Sequence, residues 1–415
     1  MAEVRPFRGV RPRPKHAEEV ASPPYDVLSS EEARQMASDN PVSFLHVVKP
    51  EIDLSPDTDP YSDKVYQQGA DNLQRLMRAG YMKQDKKPAF YLYRQIMGDH
   101  TQVGLVAAAS VEEYDKGLIK KHEQTRKAKE DDRTRHVDTI GANTGPVFLT
   151  YRHSDEIDEL VEKYIADNRP AVDFTAPDGI RHTLWVVSED DVIDEFQEKF
   201  QNVPELYVAD GHHRSASASR VRELRAERNP DHTGDESYNY FLTVIFPDNQ
   251  MLIMDYNRVV ADLNGLTPRT FMAKVMEKLG VEEKGEEPYK PTRLHEFGMY
   301  LDGKWYRLTA REPLFDPADP VNSLDVAILQ NHLLAPILDI GDPRTDDRID
   351  FVGGIRGIEE LEKRVDSGDW EVAFALYPTG IDQLMKIADA GLNMPPKSTW
   401  FEPKLRSGMV IHLLD

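Results

Sequence analysis

Leu206, Tyr207 and Val208 run into Asp210-Gly211-His212-His213-Arg214, and a serine- and alanine-rich stretch studded with arginines follows to Arg225. A short apolar run, an Asp-Gly pair and then helix formers dictate a strand, a sharp turn and a helix. Gly211 permits a backbone that a Cβ disfavours and lets a ligand approach the chain closely. The helix start offers unsatisfied N–H groups and a partial positive charge, which suit a phosphate. His212, His213 and Arg214 add side-chain donors at the same place. Asp210 can face a metal ion or accept a proton. An ordinary solvent-facing turn would account for Asp-Gly alone; two histidines and an arginine beside it favour a site.

Composition narrows the class. The chain has 415 residues, 40% hydrophobic and 30% charged, which fits two or three globular domains. No apolar run approaches the roughly 18–20 residues that cross a bilayer. The first residues, Met1-Ala-Glu-Val-Arg-Pro-Phe-Arg8, lack the apolar centre of a signal peptide, so a cytoplasmic location is expected. There is no cysteine, which excludes disulfides, thiolate zinc sites and thiol catalysis. A formal net charge of −22 argues against nucleic acid as a partner, because neutralising phosphates along a duplex needs clustered lysine and arginine. Membrane association is not expected either, and oligomeric state is open.

Patterning along the chain alternates strands and helices, so the expected fold class is α/β (α+β). Ser29 with Glu32 forms a capping box opening a short helix. Strands are expected over 42–48, 89–96 and 101–108, the last two as a hairpin, and a helix over 63–80. The charged run 117–138 reads as a solvated helix. A strand at 147–151, a helix at 154–167, a strand at 181–187 and a helix at 189–200 precede the 206–222 unit. Residues 238–246 and 251–256 read as a hairpin, and 261–268 as a linker. Asp302-Gly303 sits between two apolar runs as a type I′ hairpin signal. A helix over 322–338 and strands at 372–376 and 409–414 complete the pattern.

The common nucleotide fingerprints are absent. There is no Gly-x-x-x-x-Gly-Lys-Ser/Thr and no Gly-x-Gly-x-x-Gly opening a helix, and neither His-Glu-x-x-His nor Gly-x-Ser-x-Gly occurs. The 210–214 turn is therefore the one good phosphate cradle. A second constellation is His122-Glu123-x-Thr125, followed by Asp131-Asp132-Arg133. A glutamate held near a hydroxyl can act as a general base, although such a pair can equally be surface charge. Ser22-Pro-Pro-Tyr25-Asp26 is a rigid turn that can aim Tyr25 or Asp26 into a cleft or simply pack a tyrosine. Pro395-Pro-Lys397-Ser-Thr399, before Trp400 and Phe401, can bind an anion or serve as a structural turn.

Asp210-Gly-His-His-Arg214 resembles the phosphate-binding motif of the free L-serine kinases of the ParB/sulfiredoxin-like superfamily. In that superfamily a segment with an essential glutamate comes first, then a strand, then a glycine-led helix start. The same order is present in Ile119-Lys-Lys-His-Glu123, Asn143-Thr-Gly-Pro-Val-Phe-Leu-Thr150 and Tyr207–Arg214. Over its whole length, from Pro6-Phe-Arg-Gly-Val-Arg-Pro12 through Pro395-Pro-Lys-Ser-Thr399, the chain resembles the DUF1015 family. The resemblance to the kinases themselves covers mainly 117–220, with an insertion around 152–205.

The resemblance implies a ParB/sulfiredoxin-like nucleotide-binding core with additional N- and C-terminal α/β regions. The expected division is 1–115 for the N-terminal region, 116–260 for the catalytic core and 261–415 for the C-terminal region. It further implies a small-molecule kinase moving a phosphoryl group from a nucleoside di- or triphosphate, ATP or ADP with Mg²⁺, to the hydroxyl of free L-serine, giving O-phosphoserine. Glu123 then takes the hydroxyl proton, with Asp210 and His122 as competing catalytic groups and Asp210 as the metal contact. Gly211, His212, His213, Arg214, Thr125 and Arg133 would hold the nucleotide phosphates, and Tyr25, Asp26 and Lys397 the acceptor. The alternative is a non-catalytic nucleotide-binding switch of the ParB type. The acidic charge and the lack of a helix-turn-helix speak against its DNA-binding side, and the lack of cysteine excludes sulfiredoxin chemistry. Residues 117–150 are expected to pack against 206–222.

Overall fold

The computed structural model describes residues 2–415. The chain forms two compact units: residues up to Met251 together with Pro403–Asp415, and Leu252–Glu402. Both mix strands and helices, as the alternating patterning requires.

The first unit is built on a nine-stranded mixed sheet. Its order is Ile119–Lys120, Leu206–Asp210, Val147–Tyr151, Tyr240–Pro247, His100–Ser110, Phe90–Met97, Arg181–Val187 and Val172–Thr175, with Val4–Arg5 beside His100–Ser110. Strands from 1–115 and from 116–260 thus lie in one sheet. Leu92, Leu105, Leu149, Val187 and Val208 are essentially sealed from solvent in the core it supports. Gly104 lets Val244 and Phe246 close over the sheet, since a Cβ there would stand 2.6 Å from Val244 Cγ1.

Residues 117–150 and 206–222 meet as expected. Ile119 and Lys120 pair in parallel with Leu206 and Tyr207, while Tyr207 and Val208 pair antiparallel with Thr150 and Leu149. The charged run is not one helix, however. Its first part is the strand Ile119–Lys120 with an extended segment after it, and the helix spans Lys127–Ile140. Thr125 and Arg126 lie ahead of that helix, and Gly141, at φ 71°, ends it. Charge alone does not separate a solvated helix from an edge strand.

Two further expectations are corrected. Residues 42–48 do not form a strand: Leu45–Val48 is a helical turn. Phe44, Leu45, Val47 and Val48 are all buried, and the two polar residues of the stretch, Ser43 and His46, are too few to reveal the period. Residues 238–256 do not form a hairpin either. Tyr240–Pro247 inserts between His100–Ser110 and Val147–Tyr151, whereas Leu252–Met254 pairs with Trp400–Glu402 in the second unit. At the C-terminus only His412–Leu413 is strand, paired with Ala142–Asn143.

The second unit holds a six-stranded antiparallel sheet in the order Gly280–Gly285, Lys304–Thr309, Glu296–Leu301, Val372–Leu376, Tyr256–Val260 and Ile349–Gly353. Asp302 at φ 50° and Gly303 at φ 74° make the expected tight turn. The capping box at Ser29 and Glu32 is also present. The 322–338 helix begins at Asp325 and passes through a wide five-residue turn, Gln330–Leu334, ahead of Pro336. No helix among the described residues is long and apolar enough to cross a membrane.

The close cover over Gly104 yields a stability test. Gly104→Ala overpacks the Val244 and Phe246 side chains and should destabilise the chain by about 1–3 kcal/mol, seen as a lower denaturant midpoint at unchanged slope.

Candidate phosphate-binding site

Leu206–Asp210 ends at Gly211, whose φ of 100° and ψ of 29° only glycine adopts without strain. A Cβ there would stand 3.4 Å from Val147 Cα, so the turn lies in van der Waals contact with the neighbouring strand. The helix His212–Arg228 starts at once, and no side chain caps its first turn. The free N–H groups of that turn are available to an anion.

Three segments remote in sequence converge here. From 119–123, the buried His122 ring meets the His212 ring edge-on, with centroids 4.4 Å apart. The His122 backbone N–H points to His212 Nε2 at 3.5 Å. Burial and the neighbouring His212 push His122 well below the ordinary histidine range. Burial likewise brings His212 down to about 4. Both are neutral rings at pH 7. His122 Nδ1 is buried without a hydrogen-bond partner. Glu123 follows on the exposed side of the same segment. His213 Nε2 accepts from the Arg126 N–H at 3.1 Å, and Thr125 Oγ1 donates to Glu130 at 2.8 Å.

Arg214 joins the turn to the other two segments. It donates to the Pro146 carbonyl at 2.8 Å and to Asp26 at 2.7 Å. Its guanidinium lies 5.4 Å from the Tyr25 ring centroid. Arg133 stacks on the same ring at 4.1 Å and is held by the buried Asp132, which also accepts from Tyr66. Tyr25, Arg133, His136, Gly145, Val147 and Arg214 line one pocket. Burial would lower the Arg214 pKa, but Asp26 and Tyr25 outweigh it and raise it. Arg214 Nε is buried with no partner, an orphan donor at the turn.

Asp210 is paired with Lys404 Nζ at 3.2 Å. Burial alone would raise its carboxyl, but Lys404 and Arg214 outweigh burial and hold it below the usual range. A carboxylate so stabilised is a poor proton acceptor. Lys404 was not among the expected site residues, and the 194 positions that separate it from Asp210 give no sequence signal. The expected residues Tyr25, Asp26, His122, Glu123, Thr125, Arg133 and Asp210–Arg214 all belong to the first unit, whereas Lys397 belongs to the second. Among the described residues no three or more histidine, aspartate or glutamate side chains form a metal-binding group. A Mg²⁺ ion here would be carried mainly by donor phosphates and water, with Asp210 the carboxylate at the turn.

The family described as "Protein of unknown function (DUF1015)" matches residues 4–327. No curated protein matches the chain. Among solved structures, the chain is similar to a free serine kinase in complex with AMP, at 13% identity and a TM-score of 0.36, covering 72% of this chain and 86% of that one. A conserved hypothetical protein from Pyrococcus furiosus is 15% identical with a TM-score of 0.35, over 72% of this chain and 90% of that one. SbnI with C-terminal truncation from Staphylococcus aureus is 10% identical with a TM-score of 0.37, over 73% of this chain and 85% of that one.

Two outcomes follow from the geometry. Arg214→Ala should weaken nucleotide binding by about 1–3 kcal/mol, the size of a lost charged hydrogen bond; calorimetry on the folded variant measures it, and unchanged affinity contradicts the assignment. The buried histidines also fix an acid response. An unfolded histidine protonates near 6.5, but His212 resists to about 4 and His136, through burial, to about 3. Between those limits the unfolded chain binds more protons, so stability is full above pH 6.5 and falls steadily as pH drops toward 4. Denaturant midpoints across this window should fall with acid, and a flat profile would contradict the burial of these rings as neutral groups.

Proposed function

The chain belongs to the DUF1015 family, and we propose that it is a small-molecule kinase that moves a phosphoryl group from a nucleoside di- or triphosphate to the hydroxyl of free L-serine. The observation that carries the reading is the Gly211 turn. A left-handed glycine opens an uncapped helix, and His122, just before Glu123, is held against His212 of that turn.

Phosphoryl transfer needs charge compensation on the phosphates, a base for the acceptor and an in-line approach. The backbone N–H groups of the first helical turn, with His213 and Arg214, supply the first. Glu123 is the base in this reading. His122, buried and neutral, and Asp210, stabilised as a carboxylate by Lys404, are weaker candidates. The serine oxygen bonds to the terminal phosphorus as the bond to the leaving nucleotide oxygen breaks, and Glu123 receives the hydroxyl proton. Mg²⁺ supplies neutralisation of the donor oxygens. Tyr25, with Arg133 and Arg214 about its ring, forms the wall on which the acceptor rests, and Asp26 holds Arg214 in place.

Phosphorus NMR of the full chain with Mg²⁺, ATP or ADP, and L-serine tests this. O-phosphoserine should accumulate only when serine is present. Glu123→Gln should slow it by about 10²–10⁴-fold while nucleotide affinity holds, because the change removes a base and keeps the shape. A near wild-type rate in that variant removes Glu123 from the chemistry. Nucleotide binding with no acceptor-dependent product would instead favour a nucleotide-binding switch.

A further inference from the structure

The second unit contains a buried cation that the phosphate turn does not use. Arg258, in the strand Tyr256–Val260, is 4% exposed. Its guanidinium donates to the Tyr256 carbonyl and, at 2.8 Å, to the Lys397 carbonyl. Among the described residues it meets no carboxylate. Burial pushes its pKa down to about 10, and the only opposing influence is Tyr256. Buried charges in folded proteins are ordinarily paired, because leaving water without a counter-charge is costly.

A second cation stands at the same place. Lys397 is exposed, and its Nζ lies 5.6 Å from the Tyr256 ring centroid and 5.8 Å from that of Phe351. The Arg258 guanidinium lies 6.0 Å and 5.3 Å from those same rings. The rings themselves meet edge-on at 5.7 Å. Lys397 also has a left-handed backbone, φ 60°, which a side chain adopts only where its surroundings impose it. Those surroundings are specific. Ser398 Oγ donates to the Pro395 carbonyl at 2.6 Å, and Thr379 Oγ1 donates to the Ser398 carbonyl at 2.9 Å. Gly353 gives Trp400 room, since a Cβ there would stand 2.6 Å from the indole. The 395–398 loop is thus braced with a lysine at its tip and a buried arginine beneath its backbone.

We propose that Arg258 and Lys397 form an oxyanion site in the second unit, taking the phosphate or carboxylate of a small ligand whose flat or apolar part rests on Tyr256 and Phe351. Two cations about one aromatic pair, neither with a counter-charge, match that chemistry. A purely structural Arg258, stapling the loop through the Lys397 carbonyl, would leave the Lys397 ammonium without any role in binding. The inference does not rest on the kinase reading.

Calorimetric titration of the full chain carrying Arg214→Ala, which weakens the phosphate turn, is compared with the same chain also carrying Lys397→Ala, so that only the binding lost with Lys397 is assigned to this site. The probes are inorganic phosphate and acetate at low ionic strength, which distinguish a phosphate-taking site from a carboxylate-taking one. Binding of one equivalent of either probe is expected. Adding Lys397→Ala should weaken it roughly tenfold to a hundredfold, as for a lost charge-assisted hydrogen bond, with the unfolding midpoint unchanged. Lys397→Arg should restore most of it. Failure of both probes to bind at millimolar concentration overturns the proposal, and so does equal affinity with and without the Lys397 ammonium.

Discussion

Arg214 sits where three parts of the first unit become one site. Its side chain starts from the first turn of a helix and reaches the Pro146 carbonyl and Asp26, with Tyr25 stacked beneath. Removing any one partner would leave a largely buried charge partly unpaired, which is more costly than never having made the pair. The arrangement is therefore cooperative: the proline-rich turn at 22–26 and the strand entry at 146–147 are set by the same guanidinium that faces the Gly211 turn. Asp210 and Lys404 make a second such tie, drawing the C-terminal segment of the first unit to the end of the Leu206–Asp210 strand.

These ties divide the labour within the site. Protonation states are fixed: His122 and His212, which would otherwise titrate near neutrality, are neutral rings through burial, and Asp210 is held as a carboxylate by its cationic neighbours. Glu123 lies on the exposed side of its segment. In the proposed kinase the base is the exposed Glu123 rather than a group locked inside the turn.

Much of this was legible in the sequence. Asp210-Gly211 before an alanine- and serine-rich run gave the strand, turn and helix, because only glycine suits the left-handed junction. The Asp302-Gly303 turn and the Ser29–Glu32 cap were readable for the same reason: each is a local rule with its partners within a few residues. What stayed hidden depended on distant partners. Residues 42–48 carry only two polar side chains, Ser43 and His46, too few to establish a period, so a helical turn passes for a strand. Tyr240–Pro247 and Leu252–Met254 look like a hairpin because nothing local records that each pairs elsewhere. Lys404 is one of many lysines until the fold brings it to Asp210.

The proposed kinase depends on phosphate oxygens being held by the Gly211 turn. A crystal structure of the full chain with ADP tests that directly. Phosphate oxygens are expected about 2.7–3.2 Å from the backbone N–H groups of His213 and Arg214, ordinary hydrogen-bond distance. A nucleotide bound with its phosphates away from residues 211–214, at full occupancy, would contradict it.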